Sequence, residues 1–192
     1  MENAVTAVTI DHISKLFPAS TSGKKYTPAL LDISFTVKKG SVTIVGGANG
    51  SGKSVLMMLI SGLMKPTDGT ITVTSKPGLV FQDASTQLLG DTPREDVAVG
   101  PKNLRMNKKE IPAIVETALE SVSLLNKADY PAEFLSGGEK RRLAVASILA
   151  MKREIIIFDE PYANLDYPGV VDVNKLLVQL HAEGDRKSTR LN

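Results

Sequence analysis

The segment Gly46-Gly47-Ala48-Asn49-Gly50-Ser51-Gly52-Lys53-Ser54 constrains this chain more than any other, because of what stands on either side of it. Before it comes a dense apolar strand pattern, Val42, Thr43, Ile44 and Val45; after it, residues 55–64 read as an apolar helix. Strand, glycine-rich loop and helix is the arrangement in which backbone N–H groups and a helix N-terminus converge on phosphate oxygens. Gly47, Gly52, Lys53 and Ser54 fit the pattern GxxxxGK[ST]. The glycines let the backbone wrap the phosphates, with Ala48, Asn49, Gly50 and Ser51 completing the cradle. Lys53 is placed to reach the terminal phosphates, and the Ser54 hydroxyl to ligate Mg²⁺. This predicts an α/β fold with a P-loop NTPase core.

The rest of the chain divides around that core. Leu31, Ile33, Phe35 and Val37 alternate with Asp32, Ser34 and Thr36, a half-buried strand, and residues 4–10 carry a weaker alternation. Pro66, Thr67, Asp68 and Gly69 mark a turn before two short strands at 70–74 and 78–81. From about residue 83 to 150 the period becomes helical, with Ile111, Ile114, Val115, Ala118, Leu119 and Val122 on one face. Residues 154–158 form a continuously apolar strand, the pattern of one buried on both faces of a parallel sheet. A last helix begins at Pro168, with Val170, Val173, Leu176, Leu177 and Leu180 sharing a face, and Ala182, Glu183 and Gly184 read as a turn. The predicted architecture has a mixed or parallel core sheet, an N-terminal antiparallel β subdomain and an inserted α-helical subdomain, in one domain over residues 1–184.

Two further groups carry chemistry. Asp159 and Glu160 follow Ile155, Ile156, Ile157 and Phe158, which puts two carboxylates at the C-terminal end of a buried strand, where α/β proteins bind ligands. Asp159 suits a Mg²⁺ shell, and Glu160 suits the orientation and deprotonation of an attacking water. Leu135, Ser136, Gly137, Gly138 and Glu139 open a helix, with Ser136 as its N-cap.

In this order and spacing, the P-loop, Leu-Ser-Gly-Gly-Glu and Phe-Asp-Glu-Pro resemble the ATP-binding cassette family, and the likeness spans residues 1–184. The resemblance implies binding of ATP with Mg²⁺ and its hydrolysis. It also implies that two cassettes, identical or paralogous, pair head to tail, so that Ser136, Gly137, Gly138 and Glu139 of one reach the γ-phosphate held by the P-loop of the other. By the same resemblance Gln82 senses Mg²⁺ and the attacking water and links to a membrane partner, while Asn164, Leu165 and Asp166 contact the opposite subunit. Phe17 matches the position that stacks on adenine, with Tyr26 as a rival. Residues 80–104, above all Gln82, Gln87 and 95–101, look like the ATPases of energy-coupling factor importers, which serve vitamins or metal ions. A transmembrane coupling component, a substrate-binding membrane component and a peripheral position on the cytoplasmic face of the membrane are then implied.

Composition narrows the alternatives. No Cys is present, so neither a disulfide framework nor a thiolate metal site can form. The longest apolar run, residues 143–151, is far below the roughly 18 residues a span needs, and the first ten residues lack the pattern of a secretory signal. Three of the 23 Lys/Arg and one of the 21 Asp/Glu fall within residues 185–192, so the remainder is balanced and carries no basic stripe for nucleic acid. The family pattern has a further apolar strand ending in a His after the last helix. Here the chain instead reads Asp-Arg-Lys-Ser-Thr-Arg-Leu-Asn, which matches a translation of GAT CGG AAG AGC ACA CGT CTG AAC, a sequencing-library adapter. The reading is a non-native tail on a cassette incomplete at its C-terminus, with weak hydrolysis expected of the chain as it stands. A cassette acting on ribosomes or DNA, and a nucleotide-binding module without turnover, are the alternatives.

Overall fold

In the computed structural model, residues 5–19, 25–163, 165 and 167–189 are described, with side chains described as far as residue 182. Strands β1 (Thr6–Pro18), β2 (Tyr26–Lys38) and β3 (Asp68–Val73) form an antiparallel sheet in the order β2-β1-β3. Ala7, Val8, Ile10 and Ile13 of β1 bury one face of this sheet against Leu56, Leu59 and Ile60 of helix α1 (Lys53–Ile60). From Ile33 to Val37 the period-two alternation of β2 is the alternation between this core and solvent, but Leu31, expected on the same face, is 60% exposed and Leu30 takes the buried place, because the chain bulges at Asp32 between them and Ile33. At His12 and Asp32, both with positive φ (46° and 49°), the β1–β2 register shifts, so the two strands bulge side by side.

Strands β4 (Gly78–Val80) and β5 (Ile156–Phe158) pair in parallel, Gly78 with Ile156 and Val80 with Phe158. Between them in sequence lies the helical region: a 3-10 turn at Ala84–Gln87, then α2 (Pro93–Asn103), α3 (Ile111–Ser121) and α4 (Gly137–Ala150). Thr92 caps α2 by accepting from the Glu95 N–H, and Pro93 sits in the first turn, where its missing N–H costs nothing. Val97, Val115, Leu119, Leu143 and Val145 close a second core. Gly78 is needed for close approach, since a Cβ there would stand 2.4 Å from Ile148 Cγ2 of α4.

β5 joins the two cores. Ile155 and Ile157 pack on the β1–α1 cluster, whereas Ile156 and Phe158 pack on the helical one. That is the two-faced burial its continuous apolar run predicts, although its residues are half-buried because only β4 pairs with it among the described residues.

Two further expectations differ from the structure. Residues 42–45 do not form a ladder, as no described strand lies alongside them; Val42 is 68% and Ile44 89% exposed, and only Val45 packs on the first core. A strand needs a partner for its N–H and C=O groups, and a dense apolar run alone does not supply one. Helix α5 (Tyr167–Thr189) runs on through Ala182, Glu183 and Gly184, where a turn was expected. One Gly inside a helix costs only about 1 kcal/mol, and no Pro follows to stop it.

Candidate functional site

The phosphate loop enters α1 through Gly52, whose φ of 91° is left-handed and whose Cβ, if present, would meet the Ala29 carbonyl oxygen of β2 at 2.5 Å. Glycine is required there twice over. Lys53 Nζ donates to the carbonyl oxygens of Gly47 and Ala48, both at 3.0 Å, so the ammonium folds over its own loop. No acidic residue stands in the first turn of α1, which leaves the positive end of the helix uncompensated. Ser54, one residue on, is exposed.

A second group gathers where β4 and β5 end. The last bond of their ladder runs from the Asp159 N–H to the Val80 carbonyl at 3.0 Å. One residue further, Gln82 Nε2 donates to Glu160 Oε2 at 2.8 Å. Glu160 holds a φ of 48°, uncommon for a residue with a Cβ. Gln87 folds back along β4, accepting from the Phe81 N–H and donating to the Leu79 carbonyl, each at 2.8 Å, and so stands in for a neighbouring strand. Asp83 caps the 3-10 turn, and the Ser85 hydroxyl and N–H hold its carboxyl below the usual range.

The third group is the start of α4. Ser136 Oγ accepts from the Glu139 N–H at 3.2 Å, and Glu139 Oε2 accepts from the Ser136 N–H at 2.9 Å, a reciprocal capping box. The box does not consume the amides of Gly137 and Gly138. Burial pushes the Glu139 carboxyl up, but the Lys127 ammonium at 2.5 Å and the Ser136 N–H outweigh it and hold the group below its ordinary value. Lys127 also lies over the Tyr130 ring, 5.6 Å from its centroid.

Gln82, Asp159 and Glu160 thus meet at one sheet end. Among the described residues no hydrogen bond or ion pair joins them to residues 47–54, and none joins the phosphate loop to residues 136–139. Phe17 and Tyr26 sit together where β1 ends and β2 begins, 36% and 48% exposed, each with a lysine ammonium over its ring. Asn164 and Asp166 lie outside the described residues.

Two polar residues that sequence reasoning missed are buried beside this site. Asp96 accepts from the Leu89 N–H (2.6 Å), the Gly90 N–H (3.2 Å) and the Ser147 hydroxyl (2.8 Å), tying the loop after Gln87 to α4. Arg141, 3% exposed, reaches backbone carbonyls beyond β4 and β5. Its place in a Lys-Arg-Arg run reads as a solvated face, yet positions 141, 144, 145 and 148 form one helical stripe with Ala144, Val145 and Ile148, and that spacing was the available signal.

The model of the ABC transporter family matches residues 30–163. The energy-coupling factor transporter ATP-binding protein EcfA of Methanocaldococcus jannaschii is 40% identical over 173 residues, covering 82% of this chain and 62% of that protein. The EcfA of Carboxydothermus hydrogenoformans is 37% identical over 191 residues, covering 93% and 68%. Other archaeal relatives are longer still, and the chain spans 38% and 44% of two of them. Among solved structures, CbiO1 of Clostridium perfringens, part of the ABC transporter complex CbiONQ, superposes with a TM-score of 0.80 at 32% identity, over 93% of this chain and 75% of that one. An ATP-binding cassette solved as a dimer in a post-hydrolysis state, bound to ADP and phosphate, gives 0.77 at 26% identity over 92% and 83%.

Proposed function

The chain belongs to the ABC transporter family of ATP-binding proteins, and on that premise we propose that it binds ATP with Mg²⁺ and hydrolyses it to drive a membrane importer of the energy-coupling factor type. The observation that carries the catalytic part is the Gln82–Glu160 hydrogen bond at the end of two parallel strands, in a chain that also holds a glycine-rich loop at a helix N-terminus. In this reading residues 47–54 wrap the phosphates, Lys53 exchanges the carbonyls of Gly47 and Ala48 for phosphate oxygens, and Glu160 takes the proton of the attacking water while Gln82 orients both.

The Ser54 hydroxyl, the Gln82 amide oxygen and the Asp159 carboxylate form an all-oxygen donor set of the kind Mg²⁺ prefers. When bound, the ion would neutralise charge on the β- and γ-phosphates. Residues 1–184 act as one cassette, with residues 83–150 as its helical part. Ser136, Gly137, Gly138 and Glu139 then serve the γ-phosphate of a second cassette, since two glycines at a capped helix start offer free amides to an anion. Asp166 contacts that second cassette, and either Phe17 or Tyr26 stacks on adenine. Transmembrane components supply the path and choose the cargo, a vitamin or metal ion. No helix among the described residues is long and apolar enough to cross a membrane. A position on the cytoplasmic face, held by those components, fits that observation.

A second reading, nucleotide binding without turnover, is favoured by one observation: residues 42–45, which lead into the phosphate loop, have no ladder partner among the described residues. Calorimetric titration with Mg·ATP, together with phosphate release, separates the two. Lys53→Ala is expected to abolish binding. Glu160→Gln is expected to keep it while phosphate release falls by about 10²–10⁴-fold. Equal release by parent and Glu160→Gln, with binding intact, would leave only the second reading.

A further inference from the structure

We propose that Arg141 is a positioning residue for the Gln82–Glu160 pair, acting as a buried clamp that holds the ends of β4 and β5 at one separation. Its guanidinium is almost fully buried, yet no carboxylate oxygen is hydrogen-bonded to it among the described residues. It donates instead to four backbone carbonyls: Gln82 at 2.5 Å, Glu160 at 3.2 Å, Pro161 at short range and Ala163 at 3.5 Å. These carbonyls belong to the residues just past the ladder, where the two strands have stopped bonding to each other.

The position has a cost that the fold does not require. Burial of a cation without a counter-charge is unfavourable and pushes the guanidinium down from its ordinary value, with the nearby Asp83 charge opposing only in part. Its Nε has no hydrogen-bond partner among the described residues. What the arrangement provides is geometric. Nη2 holds Gln82 and Nη1 holds Glu160, so a single planar group spans both strands. The clamp also fixes the carbonyl of Glu160, a residue whose left-handed backbone needs support from its surroundings. Lysine, with one nitrogen, cannot present two donor arms with that separation. Because Arg141 lies one turn into α4, it also ties the capped helix start at Ser136 to the ends of β4 and β5.

The catalytic meaning of the clamp rests on the proposed role of Glu160, but the clamp itself is testable without nucleotide. The chain contains three glutamines, Gln82, Gln87 and Gln179. Protein labelled with ¹⁵N-glutamine therefore yields three side-chain amide pairs in an NMR spectrum, with that of Gln82 assigned by its loss in Gln82→Ala. In Arg141→Met the Gln82 pair is expected to move toward its free-peptide position and exchange faster with solvent, while Gln87 and Gln179 stay in place. Arg141→Lys is expected to give the same selective change, smaller in size. An unmoved Gln82 pair in folded Arg141→Met would overturn the proposal. If all three pairs collapse in Arg141→Met, Arg141→Lys decides: selective movement of Gln82 supports the clamp, and collapse of all three, or no movement, refutes it. Phosphate release adds a separate test. A fall in kcat of about 10–10²-fold at unchanged KM is expected for misplacement of the pair. A selective NMR change in a protein that never releases phosphate would keep the clamp and sink the ATPase reading.

Discussion

The helical region and the β1–α1 region each close an apolar core but are finished to different degrees. In the helical region three polar side chains tie loops to the core, although the buried Nε atoms of Arg141 and Arg142 have no partner among the described residues: Asp96 holds two loop amides and Ser147, Gln87 holds two groups of β4, and Glu139 closes its capping box. In the other region the segment that leads to the phosphate loop is laid on the core by Val45 alone, with Val42 and Ile44 turned to solvent. Residues 42–45 are mostly apolar as well, and what sets them apart is the lack of a strand partner among the described residues. In the proposed function, the loop that would wrap the phosphates sits on the less supported side, and the pair that would orient a water sits on the other.

The largest test of that contrast pairs two truncations of aliphatic side chains. Leu119 is fully buried among α3 and its neighbours, so Leu119→Ala removes buried methyl groups and leaves a cavity, at a cost of about 2–5 kcal/mol. Ile44→Ala at 89% exposure is expected to stay within about 0.5 kcal/mol. Urea melts followed by circular dichroism measure both. Equal effects would mean that residues 42–45 are packed in solution and that the contrast is wrong.

A smaller effect is expected at Asp96. Asp96→Asn keeps the shape but turns one acceptor into a donor facing N–H or O–H groups, at a cost of about 1–3 kcal/mol. The damage should be local: amide hydrogen exchange at Leu89 and Gly90 is expected to accelerate while β1 and β2 keep their protection. Acceleration spread evenly over the chain would show that the two regions unfold as one unit.

Much of this was legible in the sequence, for reasons specific to each element. The glycine-rich turn into α1 was readable because it rests on backbone geometry, and the left-handed Gly52 packed on Ala29 permits no side chain. α3 and the second half of β2 were readable because each has one wet and one dry face, so period and burial coincide; Leu31 was misplaced because a bulge at Asp32 is invisible to a period-two count. Residues 42–45 failed as a strand because pairing is a property of a neighbour and not of the segment. Arg141 was hidden for the opposite reason: its neighbours Lys140 and Arg142 gave it the look of a charged surface, although its spacing to Ala144 and Ile148 placed it on the inner stripe. Sequence also pointed to Ser136 as a cap but not to Lys127, which supports Glu139 from 12 residues away through a contact that only the folded chain creates.

The smallest effect concerns the β1–β2 bulge and is confined to the less finished region. His12 Nδ1 lies 2.5 Å from Asp32 Oδ1, with Asp11 at 4.0 Å from the other ring nitrogen. The hydrogen bond to Asp32, then the charges of Asp32 and Asp11, raise the His12 imidazole above its ordinary value, against a small opposing effect of burial. A raised folded-state value means that the folded chain binds the proton more tightly, so the contribution is fully present below about pH 6.5, the unfolded value. It is lost as pH rises through the folded value. The pair is exposed, so the gain is small and screened by salt. Amide exchange compared at matched chemical exchange rates, on either side of neutrality, is expected to show β1 and β2 loosening slightly as pH rises while α3 and α4 do not change. His12→Asn should remove that dependence. If the slope survives in His12→Asn, some other group sets it and the bulge is not a separate, weakly held part of the molecule.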